Sequence, residues 1–136
     1  MTPAGYSGTP LAKKLGLEAG MRATVILAPA HYRELLEPEP EAVHWLGAGA
    51  GELDFVHLFV SREADLARRL PRQLAHIVAD GMIWVSWPKK ASKVETDMTE
   101  DVVRKHALPL GLVDIKVCAV DEVWSGLKLV IRKENR

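Results

Sequence analysis

An α/β fold built on a mostly parallel sheet follows from three features of the sequence. Two near-continuous apolar runs, Leu53–Val60 and Met82–Trp87, need cover on both faces, as adjacent central strands of a parallel sheet do. Segments of helical spacing alternate with these runs, which implies right-handed crossovers and helices on both faces. Val113–Val120 and Leu127–Ile131, separated by a turn at Asp121–Gly126, close the chain as an antiparallel hairpin.

The elements follow in order. Thr9 is expected to cap a two-turn helix, with Pro10 in its first turn, Leu11 and Leu15 on one face and Gly16 as its left-handed stop. Ala23–Leu27 is a strand halted by Pro29. His31–Leu36 is a helical turn or two, ended by Pro38 and Pro40, and Val43–Leu46 is a short strand. Gly47–Gly51 reads as a flexible loop. After the Leu53 strand, Ser61 is the expected cap of a helix carrying Leu66, Leu70, Leu74 and Ile77, which Pro71 should break or kink near Leu70. Asp80-Gly81 reads as a turn before the Met82 strand. Pro88–Met98 is a polar connection holding Lys89, Lys90 and Lys93. Thr99 caps a helix with Glu100 and Asp101 at its positive end, stopping near Leu108-Pro109. Val113, Ile115, Val117 and Ala119 alternate with Asp114 and Lys116, which marks a half-exposed edge strand.

The 136 residues, 48% apolar and 26% charged, suit a single domain of ordinary globular composition, residues 1–136 forming one unit. With 18 basic and 18 acidic residues the chain has no net charge, so no broad field draws in nucleic acid. Cys118 is the only cysteine, which rules out an internal disulfide and a zinc set built on thiolates; a buried reduced thiol is expected. No apolar run approaches the ~20 residues that span a bilayer, and the N-terminus has no signal-peptide stretch. A cytoplasmic protein that does not enter the membrane is the expectation.

The order of elements from Leu53 to Ile131, with Asp54-Phe55-Val56 and Asp80-Gly81-Met82-Ile83-Trp84-Val85, resembles the C-terminal half of a class I methyltransferase, a Rossmann-like fold. The resemblance implies that the last strand inserts between its two predecessors, leaving the penultimate strand at the edge. The chain as a whole resembles a bacterial family known only as a domain of unknown function (DUF3052-like). The segments that carry this likeness are Gly5–Gly16, Trp84–Lys90 and Val117–Leu129, and the family brings no activity to transfer. The methyltransferase likeness is of a truncated member. That superfamily has a Gly-x-Gly-x-Gly turn after its first strand, facing the methionyl part of the cofactor, whereas Leu27-Ala28-Pro29-Ala30-His31 has no glycine. No acid for ribose hydroxyls ends the Val43–Leu46 strand, and Leu27 to Leu53 is too short for the usual two strands and two helices.

Several residues invite a functional reading, each beside a plainer one. Gly47–Gly51 would cradle a cofactor only between strand and helix, and here a strand follows. Of the five histidines, His57 is expected as a hydrogen-bonded core residue. His31 follows the first strand at the carboxyl edge, where α/β folds bind ligands, although a capping or surface role is the simpler account. Trp87, Lys89 and Lys90 end a strand at the same edge and offer an indole wall with two cations, or merely a solvated lysine pair. Asp121, Glu122 and Trp124 form the hairpin tip, where Trp124 either packs or binds.

Together these give a methyltransferase-like domain lacking methyltransferase activity, with no cofactor and no metal. It would bind an anionic small molecule or a protein partner at the carboxyl edge through Tyr6, Ser7, Thr9, His31, Trp87, Lys89, Lys90, Asp121, Glu122 and Trp124. Trp87, Lys89, Lys90, Trp124 and Tyr6–Thr9 are expected to meet around one site. The alternatives are an enzyme using Lys89, Lys90, Asp121 or Glu122 for acid–base work, and a nucleic-acid accessory module. The sequence is silent on oligomeric state.

Overall fold

The computed structural model describes residues 9–136. Its centre is one six-stranded sheet: β1 (Arg22–Ile26), β2 (His44–Trp45), β3 (Leu53–Phe59), β4 (Ile77–Pro88), β5 (Leu112–Ala119) and β6 (Trp124–Ile131), in the spatial order β2-β1-β3-β4-β6-β5. Strands β1 to β4 pair in parallel, and β6 runs antiparallel between β4 and β5. The final strand thus inserts between its two predecessors and β5 forms an edge, as the resemblance implied. The fold is a truncated Rossmann-like sheet of the methyltransferase type.

Side chains alternate across the pleat and build two cores. Phe55, Phe59, Met82 and Trp84 face helices α1 (Leu11–Leu15) and α2 (Tyr32–Leu35). Val56, Leu58, Ile83, Val85 and Trp87 face α3 (Glu63–Leu74) and α4 (Glu100–Ala107), which contribute Leu66, Leu70, Val103 and Ala107. The indole of Trp84 locks α1 onto the sheet by donating to the Leu15 carbonyl at 2.7 Å. Arg104 joins α4 to the edge strand through Asp114 at 3.0 Å while also holding Glu100 and Asp101. Thr99 caps α4 as expected, its hydroxyl accepting from the Val102 amide. No helix among the described residues is long and apolar enough to cross a membrane.

Five local expectations are corrected. Pro10, not Thr9, occupies the cap position of α1, with extended backbone and no side-chain cap, whereas Gly16 closes the helix at φ 77° as expected. Arg62 rather than Ser61 precedes α3, and the free amide of Glu63 donates instead to Asp97 from the distant α4 approach, at 2.7 Å. Pro71 does not end α3, which runs on to Leu74. Pro71 lies on the exposed side of the helix.

Asp80-Gly81 is no turn but part of β4. Partners advance from Leu53↔Ile77 to Phe55↔Met82, so β4 carries extra residues in a bulge, and Gly81 lies against the Leu53 backbone. The regular alternation expected of β5 is also broken, between Asp114 and Lys116. Ile115 and Val117 therefore stand more than half exposed, while Leu112 and Cys118 are buried.

Candidate functional site at the carboxyl edge

The parallel strands end on one edge, and the hairpin tip between β5 and β6 returns to it. Pro88 pairs with Trp124, and the Lys89 amide donates to the Val123 carbonyl at 2.7 Å. The Lys89–Lys90 loop and the hairpin tip are therefore neighbours. The sheet nevertheless divides the expected site residues into three groups.

Trp87, Lys89 and Lys90 belong to the α4 side. With Lys93, Val94, Thr96, Met98 and Ser125 they line a cleft of about 660 Å3. Trp87 and Met98 are buried and form its apolar floor, and Val94 is exposed at its side. Glu95 and Glu100 also line it, but Glu100 is held by Arg104 and Glu95 lies beside Arg62. Lys89, Lys90 and Lys93 make no ion pair with any described residue, so the uncommitted charge at this cleft is positive.

His31, Asp121 and Trp124 belong to the opposite face. His31 Nε2 lies 3.0 Å from Asp121 Oδ2, tying the start of α2 to the hairpin tip. The other Asp121 oxygen accepts from the Val123 and Trp124 amides, both at 2.8 Å. Both carboxylate oxygens are thus occupied, and Asp121 is a positioning group for the half-exposed His31 rather than a free acid or base. Trp124 packs edge-on against Phe59, with ring centroids 5.0 Å apart. Glu122 is exposed. Thr9 stands apart from both groups, in a cleft beside Lys13, Lys14 and β5. The expectation that these residues surround one site is thereby corrected for Thr9, and for Trp87 and Trp124, which face opposite sides of the sheet. Tyr6 and Ser7 lie outside the described residues.

Beneath Trp124 lies a buried polar chain that the sequence announced only through His57. His57 Nδ1 is 2.9 Å from the Tyr32 hydroxyl and Nε2 is 2.7 Å from the Ser86 hydroxyl, with the ring stacked on Phe59 at 4.3 Å. Complete burial pushes the His57 pKa down to about 3, so the ring is neutral at pH 7. Burial raises the Tyr32 phenol above its ordinary value, and the Glu39 carboxylate adds to the effect. Burial likewise raises the Cys118 thiol, against the opposing charges of Lys14 and Lys116.

The turn after β1 is left-handed at Leu27, with φ 59°. A leucine, not a glycine, carries it, and α2 beyond is a single turn. The stretch from Gly47 to Gly51 joins β2 to β3 without meeting a helix N-terminus. A Cβ added at Gly47, Gly49 or Gly51 would meet nothing within 4 Å.

No protein-family model matches the sequence, and no curated protein matches it. Solved structures similar to this chain include methyltransferases. Magnesium protoporphyrin IX methyltransferase from Synechocystis PCC 6803 superposes with a TM-score of 0.59 at 10% identity, over 90% of this chain and 74% of that one. An S-adenosylmethionine-dependent methyltransferase from Aquifex aeolicus gives 0.56 at 13% identity, over 90% and 88%. Fibrillarin from Aeropyrum pernix gives 0.53 at 15% identity, over 88% and 73%. At such identities the likeness is one of fold.

Proposed function

We propose that the chain is a methyltransferase-fold domain without methyltransferase activity, and that it binds an anionic small molecule in the cleft between the Pro88–Thr99 connection and β6. The observation that carries this reading is the uncommitted trio Lys89, Lys90 and Lys93 beside the apolar floor of Trp87 and Met98. A cleft of about 660 Å3 suits a small metabolite with a flat or apolar body and an anionic group. The glycine-free turn after β1 and the single-turn α2 argue against S-adenosylmethionine as the ligand. A protein partner docking on Trp124 is the weaker reading, because that indole is committed to Phe59. We further propose, on the sequence resemblance alone, that the chain belongs to that bacterial family of unknown function and works in the cytoplasm.

Native mass spectrometry of the purified protein tests the proposal by revealing what copurifies. Charge-assisted hydrogen bonds contribute about 1.5–3 kcal/mol each, so Lys89→Ala/Lys90→Ala should weaken an anionic ligand by roughly a hundredfold or more. A double variant that keeps every copurifying anion refutes the proposal.

A second reading, an enzyme, draws on the His31–Asp121 pair. A carboxylate fixed by two backbone amides orients an accessible imidazole, an arrangement suited to a general base. Under that reading Asp121→Asn abolishes turnover of the copurifying molecule while leaving its affinity unchanged. Under the binding reading no turnover exists to lose.

A further inference from the structure

On the α1 face of the hairpin, Lys116 of β5 stands directly opposite Lys128 of β6. Like charges opposed across a strand pair repel, and neither lysine makes an ion pair among the described residues. The acid whose field reaches Lys128 is the exposed Glu18, while burial and then the charge of Lys116 hold the Lys128 ammonium below its ordinary pKa. Lys116 Nζ donates to the Lys14 carbonyl at 2.7 Å, which fixes it beneath α1. Lys128 Nζ reaches Gly16, lying 3.3 Å from where a Cβ at that residue would stand, so the glycine admits it.

Helix α1 adds Lys13 and Lys14 from above. Between α1 and β5 opens a cleft of about 520 Å3, walled by Thr9, Lys13 and Lys14 on one side and Lys116 to Ala119 on the other. Among the described residues no carboxylate lines it. A chain with no net charge has therefore set three lysines on this cleft and a fourth, Lys128, against one of them, at a like-charge penalty. The buried Cys118 thiol sits within the field of Lys14 and Lys116.

We propose that this cleft is a second anion site, which takes the di- or polyphosphate group of a small molecule between Lys116 and the lysines of α1, with Lys128 completing the positive charge. Lysines meet phosphate as point charges, and several of them call for more than one negative charge in the ligand. The volume fits a molecule of nucleotide size. This proposal is independent of the Lys89–Lys90 cleft, and either can fail alone.

Inorganic pyrophosphate, titrated by calorimetry at low salt into the full chain bearing Lys89→Ala/Lys90→Ala, isolates the site. Saturable binding is expected, weakened about tenfold or more by a further Lys116→Gln. Lys116 is exposed on an edge strand, so the fold should survive the change. Should thermal unfolding show otherwise, Lys13→Gln/Lys14→Gln provides the same reading from the helix side. Absence of saturable binding, or binding indifferent to both sets of changes, overturns the proposal. A single-stranded oligonucleotide that binds through these lysines and is not displaced by pyrophosphate also overturns it, in favour of a nucleic-acid surface.

Discussion

Lowering the pH from 7 to 4.5 should destabilise this protein through one buried side chain. His57 is fully enclosed and its folded-state pKa lies at about 3 against an ordinary 6.5. Between those values the unfolded chain binds a proton that the folded chain refuses. The stabilisation is therefore complete above the ordinary pKa and is lost progressively as the pH falls towards 3. At about 1.4 kcal/mol per pH unit, the loss between pH 7 and pH 4.5 comes to roughly 2–3 kcal/mol. Urea unfolding at both pH values measures it, with His57→Gln as the non-titrating reference. The Glu63 carboxylate, held low by His106 and Lys105, also costs stability in acid, but it is common to both proteins and cancels in the comparison. The wild type should lose about 2–3 kcal/mol more than the variant. Equal losses would refute the assignment of a neutral, buried His57 held by Tyr32 and Ser86.

Three further outcomes can be measured directly. Gly81→Ala would set a Cβ 2.9 Å from the Leu53 carbonyl oxygen and 3.0 Å from that of Val78, so backbone must move and thermal unfolding should show a loss of about 1–3 kcal/mol. Thr99→Ala removes the hydroxyl that accepts from the Val102 amide and should cost about 1 kcal/mol in denaturant unfolding. Calorimetry with S-adenosylmethionine should show no binding, and micromolar affinity would contradict the reading of the turn after β1.

The strands that carry the architecture were legible because their burial is written as composition. Leu53–Phe59 and Met82–Trp87 are apolar at both parities, and only a position covered on both faces accommodates that. What stayed hidden depends on register. The bulge at Gly81 leaves Asp80-Gly81 looking like a turn, because the same dipeptide serves either conformation. The irregularity between Asp114 and Lys116 rotates half of β5, exposes Ile115 and Val117, and brings Lys116 opposite Lys128. Without that register the lysine pair is two unrelated charges in a sequence. The His31–Asp121 contact spans 90 positions and leaves no local trace. Lys89 and Lys90 were visible as cations at a strand end, but the apolar floor contributed by Met98 depends on how the following connection folds back.

The division of the edge has a physical origin in the shortened passage between β1 and β3. With one turn of helix in α2, Tyr32 drops directly onto His57, Phe59 stacks on the same ring, and Trp124 packs edge-on against Phe59. The His31–Asp121 bond then ties the end of β1 to the hairpin across the top of this cluster. The middle of the edge is thus occupied by the chain's own aromatic side chains and a hydrogen-bonded histidine. Clefts lined by lysines occur instead on the two flanks, beside Lys89–Lys93 and beneath α1. A ligand entering the middle would have to displace Trp124 from Phe59 and open a fully satisfied buried network, whereas a ligand on either flank would leave the core undisturbed.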